Sequence, residues 1–188
     1  MIIYVAPGDK EMYERTLKYA KEKGVRMIVV SKDRLFKEVH SAQKHRYDSV
    51  GGYNFGKSET IWIVGHGNED EIGDKTSAGV GLDAEYLVSF LKSTLITDKA
   101  YQGSIVIDTC KSGVMDDRRK TFADKVFDGM KSDFQNVTVG GWIGNAKGAI
   151  SQGRTELTEE VFKGEEGFAW AHRTPPSTQS HDVLARLA

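Results

Sequence analysis

Thr60-Ile61-Trp62-Ile63-Val64-Gly65-His66-Gly67 is an apolar, β-branched run that stops at two glycines bracketing a histidine. A short run of this kind, closed by glycine, reads as a buried strand. Ser104-Ile105-Val106-Ile107-Asp108-Thr109-Cys110-Lys111-Ser112-Gly113 repeats the design, again delivering a reactive side chain just before the chain turns. Between them, Gly65 to Gly81 is polar and reads as a long loop. Leu87, Val88, Phe90, Leu91 and Leu95 then fall at helical spacing within Leu82 to Leu95. Strand, helix, strand in that order predicts a crossover unit that lays two parallel strands side by side.

Working outward, Ile2 to Ala6 predicts a first strand. Met12, Leu17, Tyr19 and Ala20 predict a helix with Asp9 as its N-cap and Gly24 at its end, and Val25 to Val30 predicts a second strand. The charged stretch Lys32 to His45 predicts another helix, and Tyr47 to Lys57 a glycine-rich loop. Downstream, Arg118 to Phe134 predicts a helix behind the cap candidates Asp116 and Asp117, and Val137 to Trp142 a fifth strand. Glu156 to Phe162 is expected as helix, Gly167 to Ala171 as strand, and Thr174 onward as a polar tail. The alternation predicts an α/β domain with a mostly parallel central sheet and helices on both faces, a three-layer α/β/α arrangement.

Composition narrows the function classes. The chain has 188 residues, about one domain, with 39 % hydrophobic and 28 % charged residues, which excludes a disordered or membrane-spanning class. A net charge of −1 supplies no global field to attract nucleic acid or an anionic membrane. The first strand lacks both the basic start and the long apolar core of a signal peptide, so a cytoplasmic location is expected, in the cell of origin or in one it is delivered to. There is one cysteine, Cys110, so neither an intrachain disulfide nor a cysteine-based zinc cage is available. No metal site is expected: His40 and His45 are poorly spaced for ligation on a helix, and His172 and His181 fall near an irregular C-terminus.

Ligands of open parallel sheets bind at the carboxyl ends of the strands, where His66 and Cys110 both fall. A thiol must become thiolate to attack a carbonyl, and a neighbouring imidazole both lowers its pKa and protonates the leaving amine. Backbone N–H groups at Gly67 and Cys110 are the candidate oxyanion hole. The blander alternative makes Cys110 a buried small hydrophobe and His66 a loop histidine. Their joint placement at corresponding strand ends favours the dyad.

These two signatures, Val64-Gly65-His66-Gly67 and Ile107-Asp108-Thr109-Cys110-Lys111-Ser112-Gly113, resemble those of the caspase-like (clan CD) cysteine peptidases over roughly residues 60 to 155. Asp108 to Gly113 is most similar to the Asp-x-Cys-His-Ser-Gly of metacaspases. That resemblance implies a caspase-like peptidase domain over residues 1–173 followed by a polar tail at 174–188. It further implies a protein or peptide substrate, no cofactor for catalysis, self-processing, and a role for Asp108 in the primary specificity pocket. The two-residue period of a strand puts Asp108 on the same face as Cys110, where a carboxylate pairs with substrate Arg or Lys. Gly141 and Trp142, ending the next strand, are candidates for the pocket wall, although a core position is the commoner fate of a Trp. By contrast, Gly81-Leu82-Asp83-Ala84-Glu85-Tyr86-Leu87 and Gly153-Arg154-Thr155-Glu156-Leu157 look like the self-cleaving domains of large bacterial toxins. That second resemblance implies activation by inositol hexakisphosphate at a basic patch, with Arg154 the matching position; Arg118, Arg119 and Lys120 read equally well as a solvated helix start. Toxin domains of this kind have no acid two residues before the cysteine, a departure that separates the two resemblances.

Two readings compete from other classes. Gly51-Gly52-Tyr53-Asn54-Phe55-Gly56-Lys57-Ser58 satisfies the Walker A pattern, with Ile105 to Asp108 as a Walker B strand. Yet a phosphate loop needs a strand before it and a helix after it, and here only Glu59 separates Ser58 from the β-branched strand while no apolar run immediately precedes Gly51. The other is a non-catalytic interaction scaffold on the same fold, against which the intact dyad argues.

Overall fold

The computed structural model describes residues 1–30, 37–40, 57–73, 81–96, 98–113, 120–143, 146 and 168–171. In chain order these form β1 (Ile2–Tyr4), α1 (Lys10–Lys23), β2 (Met27–Val29), β3 (Lys37–His40), β4 (Ile61–Val64), β5 (Glu71–Gly73), β6 (Gly81–Asp83) and α2 (Ala84–Phe90). A single π-helical turn (Leu91–Leu95) extends α2, followed by β7 (Ser104–Asp108), α3 (Phe122–Lys131), β8 (Thr138–Trp142) and β9 (Phe168–Ala171). Seven strands make one sheet in the order β3-β2-β1-β4-β7-β8-β9, and β5 and β6 form a separate antiparallel pair. The five inner strands run parallel, while β3 and β9 close the two edges antiparallel.

The apolar runs become the centre of this sheet for a simple reason. Side chains alternate between faces, so a strand covered on both sides must be apolar throughout. Ile61, Ile63, Ile105 and Ile107 join a core with Leu87, Leu91, Phe122, Val126 and Met130 of α2 and α3. Trp62, Val64, Val106 and Trp142 join a second core with Ala20 and, partly buried, Met12, Tyr13 and Leu17 of α1. α1 and the α2–α3 pair thus belong to different cores. Removing one such side chain, as in Ile63→Ala, costs about 2–5 kcal/mol in transfer energy and cavity.

Several boundaries differ from the sequence expectations, each for a local reason. Residues 37–40 of the expected Lys32–His45 helix form the edge strand β3 instead, paired with β2. The stretch lacks a sustained apolar stripe, so an available sheet edge outcompetes a helix with little to bury. The expected loop Gly65–Gly81 contains β5 and leads into β6, which takes Leu82 and Asp83 from the predicted start of α2; Asp83 then caps that helix through Tyr86 N–H. α3 is capped by Thr121 and not by Asp116 or Asp117: the Thr121 hydroxyl accepts from Asp124 N–H while the Asp124 carboxylate accepts from Thr121 N–H, a reciprocal capping box. Asp116, Asp117, Arg118, Arg119, Arg154, the Gly51–Gly56 stretch, the expected helix at Glu156–Phe162 and the 174–188 tail lie outside the described residues. Lys57 and Ser58 form a turn, and residues 59–60, without regular structure, then lead into β4. The helix that a phosphate loop requires at that point is therefore replaced by a strand. Among the described residues no helix is long and apolar enough to cross a membrane.

Candidate active site

β4 and β7 are neighbours in register, with Trp62 opposite Val106 and Val64 opposite Asp108. His66 and Cys110 each follow two residues past that last pair, so the two lie at adjoining ends of parallel strands spaced about 4.8 Å apart. The expected juxtaposition of the two strand ends is thus present. The imidazole and the thiol do not hydrogen-bond each other: His66 pairs with Asp9, and the Cys110 Sγ accepts from the backbone N–H of Ala146 at 3.4 Å. Cys110 is partly exposed, as a nucleophile must be to meet a substrate.

Asp9 is the member that the sequence reading missed. It does cap α1, its Oδ1 accepting from Met12 N–H at 2.9 Å, but its Oδ2 lies 3.1 Å from His66 Nε2. Because a carboxylate only accepts, Nε2 is the donor in this pair. Asp9 reaches His66 because β1 pairs directly with β4, which brings the turn after β1 beside the turn after β4. The pair is open to solvent, with the His66 side chain 54 % exposed and Asp9 32 %.

The Cys110 turn is built more tightly. Ser112 is fully buried, and its hydroxyl donates to both Thr109 O (2.8 Å) and Ile107 O (3.0 Å) while accepting from Trp142 N–H (3.2 Å). Gly113 N–H donates to Trp142 O at 2.7 Å. A Cβ at Gly113 would fall 2.3 Å from Gly141 O, and one at Gly141 would fall 2.7 Å from Ser112 C, so this joint admits only hydrogen at both positions. Gly141 therefore acts here as a packing residue beneath the Cys110 turn. Lys111 completes the turn at φ 53°, a left-handed conformation that costs a side-chain-bearing residue about 1–2 kcal/mol. The surrounding hydrogen bonds hold it there.

Asp108 and Trp142 meet, though not as an open pocket. Asp108 is 2 % exposed, and its Oδ1 accepts from Trp142 Nε1–H at 2.8 Å. Trp142 is itself buried, edge-on to Phe168 with ring centroids 5.4 Å apart. The expected wall residue is thus a core Trp whose indole is already satisfied by the expected specificity carboxylate.

Gly67 faces Ile72 in an isolated antiparallel bridge, flanked by Asn68 N–H to Glu71 O and Gly73 N–H to His66 O, both 2.9 Å. In this non-hydrogen-bonded type of pair the N–H and C=O of Gly67 point away from β5. A cleft of about 200 Å³ opens beside it, lined by His66, Gly67, Asn68, Ile72 and residues of the β5–β6 pair; Cys110 is not part of that lining. No group of three or more His, Cys, Asp or Glu is placed to hold a metal ion among the described residues. No protein-family model matches the chain, and no curated protein sequence matches it.

Proposed function

We propose that the chain is a cysteine endopeptidase of caspase-like, three-layer α/β/α architecture, acting in a cytoplasm with Cys110 as nucleophile and His66 as general base and acid. The observation that carries this reading is the β4–β7 register, which sets an imidazole and a partly exposed thiol at adjoining strand ends, with Asp9 on the imidazole. In the cycle, His66 Nδ1 takes the thiol proton and the thiolate adds to the scissile carbonyl. The resulting oxyanion is met by the Gly67 and Cys110 N–H groups. His66 returns the proton to the departing amine, leaving a thioester. Water, deprotonated by the same nitrogen, then hydrolyses the thioester and regenerates the thiol.

Cleavage after Arg or Lys is the specificity that Asp108 supports, since a carboxylate two residues before the nucleophile would draw substrate cations toward it. The Asp108–Trp142 hydrogen bond favours a second reading, in which the carboxylate serves Trp142 and the pocket selects an apolar residue. A positional peptide library distinguishes them, read with wild type, Cys110→Ala and His66→Ala. Basic preference together with loss of all cleavage in both variants is the expected result. Cleavage by Cys110→Ala at the wild-type rate would remove the proposal, and preference for an apolar residue would move it to the second specificity.

A further inference from the structure

Thr109 stands between the two strand ends. It is fully buried, and its Oγ1 has no hydrogen-bond partner among the described residues. Its side chain packs against the α-carbon of Gly67: a Cβ built there would lie 2.6 Å from Thr109 Oγ1 and 2.8 Å from Thr109 Cβ. Ile72 Cγ2, at 3.1 Å from the same point, presses from β5. Gly67 is therefore held between a β-branched side chain of the nucleophile turn and one from β5, and that contact sets how closely the His66 loop approaches Cys110. We propose that Thr109 is a positioning residue for the hydrolytic reaction, fixing through its shape the separation at which the Gly67 and Cys110 N–H groups converge on a developing oxyanion.

The inference rests on the peptidase reading and deepens it. A buried hydroxyl without a partner contributes nothing as a donor in this state, whereas a β-branched side chain has restricted χ1 freedom and makes a firm spacer. Oxyanion donors act only when aimed within a few tenths of an ångström, and misplacement by about 1 Å costs on the order of a hundredfold in rate. Thr109→Val keeps the shape and removes the hydroxyl, whereas Thr109→Ala removes the spacer.

The test compares peptide hydrolysis with alkylation of Cys110 by iodoacetamide, a displacement that forms no oxyanion, in wild type, Thr109→Val, Thr109→Ala and Thr109→Ser. Thr109→Val keeps the β-branched spacer and should keep kcat and KM within about twofold. Thr109→Ala should lose about tenfold in kcat with KM within about twofold and alkylation unchanged. A Thr109→Val variant as slow as Thr109→Ala, with Thr109→Ser near wild type, would make the hydroxyl a donor and overturn the inference. Alkylation falling in parallel with kcat would overturn it too, by placing the effect on the thiol. A wild-type chain without hydrolytic activity overturns the peptidase reading itself, and this inference with it.

Discussion

At the end of β7 the Cys110 turn is fastened on every side: Ser112 ties it to β7 and β8, Gly113 and Gly141 interlock, and Asp108 and Trp142 close the base. At the end of β4, His66 stands more than half exposed, and its imidazole is held by one carboxylate from another loop. The difference follows from what surrounds each strand end. The Cys110 turn is flanked by β4 and β8, both buried, whereas the turn after β4 emerges beside the solvated start of α1 and the small β5–β6 pair. The contrast suits the proposed chemistry, in which a nucleophile benefits from fixed aim while a proton carrier must address thiol, amine and water in turn.

The largest effect that would break this contrast lies in the interlocked glycines. Gly113→Ala forces a Cβ against the Gly141 carbonyl, and backbone cannot move aside as a flexible side chain could. A loss of about 3 kcal/mol in stability is expected, at the upper end for overpacking. Ser112→Ala should cost less, about 1–3 kcal/mol, by stranding buried backbone groups that the hydroxyl now serves. Denaturant unfolding orders the two, and Gly113→Ala as stable as wild type would show that the turn is looser than its contacts imply.

Next in size is the tether on the histidine. Asp9→Asn retains an oxygen to cap α1 but replaces the carboxylate that accepts from His66 Nε2–H and orients the ring. A fall of about tenfold in kcat/KM is expected with little change in thermal stability, well short of the effect of a buried triad carboxylate because solvent screens this pair. Asp9→Ala adds loss of the cap, about 1 kcal/mol. Wild-type kcat/KM in Asp9→Asn would return Asp9 to a purely structural role.

The same contrast explains what was legible in the sequence. β4 and β7 could be read because buried parallel strands must be apolar throughout, and His66 and Cys110 because they follow those runs directly. Asp9 could be read only as a helix cap; its second partner lies far along the chain and meets it through β1–β4 pairing, which no local pattern encodes. Ser112 and Gly141 were likewise opaque as partners, since their contact depends on β8 lying beside β7. The edge strand β3 and the β5–β6 pair escaped notice because strands of three or four residues are too short to show a period.

The smallest expected effect sharpens the contrast from the exposed side. Asn68 Oδ1 accepts from the N–H groups of Asp70 and Glu71, shaping the turn after His66, and Asp70 Oδ1 lies 2.8 Å from Lys125 Nζ on α3. That ion pair is the outer fastening of the His66 loop. With Asp70 79 % exposed and Lys125 38 %, solvent and salt screen it, so Asp70→Asn should change global stability by no more than about 0.5 kcal/mol. Its signature should be local. Amide exchange at Asn68 to Gly73 should quicken while amides of the Ser112 to Gly113 turn keep wild-type protection, because opening the His66 loop breaks none of the bonds around Ser112. Equal acceleration at both places would mean that the two strand ends open as one unit, and the firm turn would then owe its order to the exposed loop.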